Sequence, residues 1–277
     1  MNNDELFKTQ STNKGFRILK FSSKLPRDFI DPICLLGMPG IGDIGKFAID
    51  QLIGILNAEK YCEIIFYNFP AGAIIDESML STPKAEILTY FDPKRKRDII
   101  LVTADAQAMT PKGIYEVSDL LAEILMKLRV KEIIALGAFP GNKQMSGEIK
   151  IYVTSTNEFD IKDFEGCQRI SKGVIIGANG LIPTLAKARF GIKGNVFLAE
   201  TENPPGMNDG FTDLNASVSL LRFIIEYYDL PIEAVFSNEK ISELANDLKE
   251  KRKKLEEELE NYQQIENVFE REKTLYI

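Results

Sequence analysis

The chain has 277 residues, 44% apolar and 27% charged, with a formal charge of −7: enough for one large domain or two small ones, each with a real core. That negative balance argues against nucleic acid as the main partner, and the absence of histidine excludes Ser-His-Asp and Cys-His catalysis as well as imidazole metal ligation. No apolar run reaches the length of a membrane span, and the polar start Met1-Asn2-Asn3-Asp4-Glu5 is not a signal peptide, so a cytoplasmic protein without membrane contact is expected.

Residues 1–15 are polar and aperiodic and read as a flexible N-terminal arm. Phe16-Arg17-Ile18-Leu19-Lys20-Phe21 looks like an edge strand, and Ile33-Cys34-Leu35-Leu36 like a strand buried on both faces. A glycine-rich loop follows, and then a helix over roughly 43–57 with Phe47, Ile49, Leu52, Ile53 and Leu56 on its apolar face and Asp43 as N-cap. Strands are expected from Cys62 to Tyr67, from Glu86 to Phe91 and from Asp98 to Thr103, the last two forming a hairpin across the charged turn Asp92-Pro93-Lys94-Arg95-Lys96. Pro111 can open a helix whose stripe Val117, Leu120, Leu121, Ile124, Leu125 and Leu128 runs to Arg129.

The second half continues the alternation. Ile133 to Gly137 is a strand, Ile149 to Thr154 a half-buried one, and Gly177-Ala178-Asn179-Gly180 a glycine-rich turn into a short helix through Ala186 and Ala188. Val196 to Thr201 is the last strand, before a helix of about 213–229. Strands alternating with helices predict an α/β domain over 16–233: a mostly parallel sheet with helices on both faces. Beyond it the composition shifts to Glu, Lys and Leu. Ile241, Leu248, Leu255, Tyr262 and Phe269 recur every seven residues, which predicts a long amphipathic helix over 234–270 with one narrow seam for a partner helix. The three cysteines, Cys34, Cys62 and Cys167, have no metal spacing and read as reduced thiols, two of them inside apolar strands. No metal site and no cofactor is expected.

Gly40, Gly42 and Gly45, just after Gly37, fit G-x-G-x-x-G between a strand and a helix, the context of a dinucleotide fingerprint. Such a site needs an acidic residue at the end of the second strand to hold the ribose hydroxyls, and Asn68 stands there instead. The neighbouring loops would bring Asp43, Asp76, Glu77, Asp105, Glu200 and Asp209 to the same crevice, with Lys46 and Lys143 as nearby cations, a poor field for polyphosphate. The glycines are better explained by a tight strand–helix turn and close helix–sheet packing. A small-molecule or nucleotide-dependent enzyme using this loop is the rival reading.

Gly37-Met38-Pro39-Gly40-Ile41-Gly42 opening the first helix, Gly137-Ala138-Phe139-Pro140-Gly141 after a central strand, Gly177-Ala178-Asn179-Gly180-Leu181-Ile182-Pro183, and the strand end Glu200-Thr201 together resemble the proteasome assembly chaperone 2 family in its archaeal form. The resemblance covers about residues 16–233. It implies a three-layer α-β-α fold similar to nucleoside phosphorylases, with no established catalytic activity.

The tail 271–277 ends in Leu275-Tyr276-Ile277, which matches the hydrophobic–Tyr–any-residue ending by which proteasome activators and assembly factors dock on the α-ring of the core particle. A free carboxylate on Ile277 can pair with a lysine in an inter-subunit pocket, while Tyr276 offers a rigid ring with a hydroxyl and Leu275 an apolar group. The expected partners are therefore proteasome α subunits and further copies of this chain, since several weak tails on one oligomer gain by effective concentration. An assembly chaperone and a gate-opening activator fit these residues equally, and an adaptor acting through the 241–269 seam is a third reading.

Overall fold

A computed structural model describes residues 17–21, 25–76, 78–141, 148–157, 164–201 and 212–232, with 242–244, 246–247 and 250 beyond them. The strands are β1 (Arg17–Phe21), β2 (Ile33–Gly37), β3 (Glu59–Phe66), β4 (Ile74–Asp76), β5 (Met79–Ser81), β6 (Ala85–Tyr90), β7 (Ile99–Ala104), β8 (Glu132–Pro140), β9 (Ile151–Ser155), β10 (Gln168–Arg169) and β11 (Lys193–Thr201). The helices are α1 (Ile44–Leu56), α2 (Pro111–Lys127), α3 (Ala178–Phe190) and α4 (Leu214–Tyr227).

Nine strands form one sheet in the order β1-β3-β6-β7-β2-β8-β11-β9-β10, and β4 and β5 pair by themselves as a small hairpin. The central strands β7, β2, β8 and β11 run parallel, as their unbroken apolar sequences require of strands covered on both faces. Both flanks are antiparallel: β1, β3 and β6 on one side, and β9 against β11 on the other. The β6–β7 hairpin is the one expected from the charged turn, which is held by Asp98. That fully buried carboxylate accepts from Arg27 (2.6 and 2.8 Å), from Ile30 N (2.7 Å) and from Asp92 N (2.9 Å), so every lone pair taken out of water finds a donor.

The alternation of side chains along β2 explains the layers. Cys34 and Leu36 point to one face and join the core under α2 and α3, with Leu121, Leu125, Ile182 and Ala186. Ile33 and Leu35 point to the other and meet α1 and α4 through Ile49, Leu52, Leu220 and Ile224. Helix starts follow local chemistry at α2 and α4: Thr110 accepts from Gly113 N (3.1 Å), and Asp213 accepts from Ala216 N (3.0 Å). Asp43 differs from expectation. It occupies the N-cap position of α1, but its carboxylate bonds no N–H of the first turn and instead accepts from Gly40 N (3.3 Å), because Asp43 itself sits at φ 45° and its side chain turns back along the loop.

Cys34 and Cys62 are buried free thiols and Cys167 is half-buried. Burial pushes all three thiols up, Cys62 to about 12 (with help from Glu63) and Cys167 to about 11, which leaves little thiolate at neutral pH. Among the described residues, no helix is long and apolar enough to cross a membrane. Residues 242–244, 246–247 and 250 are helical, and Leu244 packs against the α1–α4 side of the core. The remainder of the expected C-terminal helix, with the seam Ile241, Leu248, Leu255, Tyr262 and Phe269, lies outside the described residues, as do the arm 1–15 and the tail 271–277.

Candidate functional site

The glycine loop lies at the carboxyl ends of the parallel strands, between β2 and α1. Gly37 ends β2, and a Cβ there would run into the Gly45 carbonyl and meet Ile49 Cγ1 at 2.8 Å. A Cβ on Gly45 would run into the Leu136 carbonyl of β8. These two glycines therefore let the first turn of α1 lie directly on the sheet. Gly42 supplies a left-handed residue, at φ 59°, inside the 3-10 turn Ile41–Asp43. Gly40 is extended (φ −172°) and has open space beside it, the nearest atom to an added Cβ being Met38 O at 3.9 Å. Packing and turn geometry account for Gly37, Gly42 and Gly45.

Several polar groups of the loop are engaged within the protein. Met38 N donates to Asn179 Oδ1 (2.9 Å), and Asn179 Nδ2 returns a bond to Met38 O (3.2 Å). Gln107 Nε2 donates to Pro39 O (2.6 Å), while Gln107 Oε1 accepts from Ala178 N (3.0 Å). Gly40 N is bound to Asp43, and Gly42 O accepts from Asp213 N (2.9 Å). Burial raises the Asp43 carboxyl above its ordinary value, against the lowering effect of Gly40 N and Lys46, while Asp50 adds to the rise. A carboxylate sits where a pyrophosphate would bind. Lys46 is paired with Asp50 at 2.8 Å rather than turned to the loop.

The second half of the dinucleotide expectation fails on topology. A ribose-binding acid must stand on the strand next to the glycine loop. Here β3, which ends near Asn68, is separated from β2 by β6 and β7, roughly 14 Å away at ordinary strand spacing. Asn68 instead takes the Thr110 hydroxyl (2.8 Å) at the start of α2. The predicted acidic convergence is scattered too. Asp105 is bound to Lys84 N (3.0 Å), and Glu200 packs where a Cβ on Gly141 would stand. Asp76 lies on the β4–β5 hairpin. Glu77, Lys143 and Asp209 lie outside the described residues. Among the described residues, no group of three or more Asp, Glu or Cys is placed to hold a metal.

What the loops do build is a cavity of about 920 Å³, walled by the glycine loop, the end of β8, the end of β9, the segment 170–176 and the first turns of α3. Asn179 and Gln107, which fix its walls, were not read as functional from the sequence. The Gly177-Ala178-Asn179-Gly180 motif was a signal for Asn179; Gln107 had none.

A family model, that of the PAC2 family, matches residues 34–261. The chain belongs to the PAC2 family. The uncharacterized protein MJ1210 of Methanocaldococcus jannaschii is 29% identical over 227 residues, covering 80% of this chain and 83% of that protein. Among solved structures, this PAC2 chain is similar to Pyrococcus furiosus PbaB, an archaeal proteasome activator: 27% identity, TM-score 0.73, covering 87% of this chain and 98% of PbaB. It shares its fold with Pyrococcus furiosus PbaA, an archaeal homolog of proteasome-assembly chaperone, at 20% identity and TM-score 0.64 over 91% of this chain and 97% of PbaA.

Proposed function

We propose that this PAC2 chain is a non-enzymatic proteasome-binding protein, a three-layer body of the nucleoside phosphorylase type that docks on the α-ring of the core particle through Leu275-Tyr276-Ile277. The observation that carries the reading is the likeness, at 27% identity, to nearly the whole length of an archaeal proteasome activator. The tail gives that likeness a chemistry: a carboxylate for a lysine, a tyrosine ring with a hydroxyl, and an apolar side chain. The same likeness favours opening of the gate over guidance of ring assembly. The seam Ile241, Leu248, Leu255, Tyr262 and Phe269 joins copies into a cytoplasmic homo-oligomer that presents several tails at once.

The test is co-sedimentation with an archaeal core particle, read together with hydrolysis of a fluorogenic peptide. The full chain should bind and accelerate hydrolysis. Removing the last three residues, Tyr276→Ala, or a short extension after Ile277 that displaces the carboxylate should each weaken binding by at least about tenfold. Binding unchanged by all three would end the docking proposal. Binding lost only on truncation at Asn238 would transfer the role to the helix.

A further inference from the structure

The cavity is unusual in its charge. Among the described residues, its lining includes no aspartate or glutamate, and Lys172 is the one charged side chain, in a chain that is 27% charged and carries a net −7. The rest of the described wall is apolar, hydroxylic or, at Gln107 and Asn179, amide. Ile41, Ile44, Val196 and Leu198 line it, and Phe139, stacked on Tyr152 with centroids 4.1 Å apart, adds an aromatic ring. Thr154 and Ser171 add hydroxyls. The frame is preset: the amides of Asn179 and Gln107 tie the glycine loop to α3, and Ile170 N donates to Val153 O (3.1 Å) at the foot of the 170–176 segment. Val174 and Ile176 stand 87% exposed at the lip, apolar surface that an occupant would cover.

We propose that this cavity binds a small amphipathic monoanion, a single carboxylate on an aromatic or branched apolar body, with Lys172 as the partner of the carboxylate. The volume lies within the usual range of ligand pockets, about 300–1,000 Å³. One cation matches one negative charge. A polyphosphate would bring several charges that nothing in the described wall neutralises, and a cationic ligand would find no carboxylate among the described lining residues. An apolar body accounts for the remaining wall. The site is independent of the docking tail and requires no chemistry on the ligand.

Isothermal titration of the full chain with phenylbutyrate, its amide and phenylbutylamine tests the assignment. Phenylbutyrate should bind saturably with a Kd of about 0.1–1 mM, the amide more weakly, and the amine not at all. Lys172→Gln should weaken the carboxylate about threefold and leave the amide unchanged, as expected for an exposed ion pair. Gly40→Phe, at a position where an added Cβ would meet only Met38 O at 3.9 Å, should reduce binding of both by more than about tenfold by placing a ring in the cavity. In the unaltered protein, amide shifts on titration should cluster at Ala138, Thr154 and Val196. No saturable binding of phenylbutyrate up to about 5 mM, a preference for the amine, or shifts confined elsewhere would each overturn the proposal.

Discussion

Two glycine-rich turns open helices in this molecule, and they use glycine for different reasons. At the start of α1, Gly37 and Gly45 are small because backbone lies where a side chain would be, so the helix rests directly on β2 and β8. At the start of α3, Gly177 is needed for its conformation, at φ 94°, and the turn is then fastened by side chains: Gln107 to Ala178 N and to Pro39 O, Asn179 to both polar groups of Met38. The first turn is closed by contact at Gly37 and Gly45. The second is tied by those hydrogen bonds to the glycine loop, and the cavity lies beside them. A glycine pattern alone does not distinguish a ligand cradle from a packing contact, since both need the absence of Cβ.

The contrast is broken most severely at Gly45. Gly45→Ala pushes a methyl into the carbonyl of Leu136 on a central strand, and should cost about 3 kcal/mol or more in urea unfolding. Gly40→Ala, three residues after Gly37, should stay within about 0.5 kcal/mol of the parent. Equal stability of the two would refute the contact account. Next comes the amide clamp. Asn179→Leu leaves the N–H and carbonyl of Met38 buried without partners and should cost about 2–4 kcal/mol. Gln107→Ala, in a half-buried position, should cost about 1 kcal/mol, and a double-mutant cycle with Asn179→Leu should show coupling, because both fix the same helix start to the same loop.

The smallest effect concerns pH. The Asp43 carboxyl is raised in the fold, chiefly by burial, so the folded state holds its proton to higher pH than the unfolded chain does. Stability should therefore fall as pH rises from the unfolded carboxylate value of about 3.9 through the folded one. Asp43→Asn, free of that titration, should gain stability relative to the parent across the same window, and the gain should vanish in acid. Thermal melts at a series of pH values would show it. A gain that grew towards acid would contradict the raised carboxyl.

Much of the α/β body was legible in the sequence because its elements are set by local periodicity. The stripe from Val117 to Leu128 became α2, the run at 33–36 became β2, and the charged turn at 92–96 joined β6 to β7. Bounds shifted where tertiary contact extends an element. The strand expected at 133–137 runs from Glu132 to Pro140, because β11 pairs with it along its whole length. Ala178, Asn179 and Gly180, expected as a turn, are the first turn of α3, since Gly177 alone makes the bend.

The candidate site was less legible. Lys172 and Gln107 carry no motif, and nothing in the order of residues places position 172 across a cavity from position 139. Sequence by itself determined the alternation of strands and helices, the lack of histidine chemistry and the absence of an acid after β3, all properties of residue type and near spacing. Only the tertiary structure decided that β6 and β7 stand between β3 and the glycine loop, that Asn179 occupies the Met38 donor, and that the described cavity wall carries one charge. Those facts depend on strand order and on contacts between residues up to 141 positions apart, which no local pattern encodes.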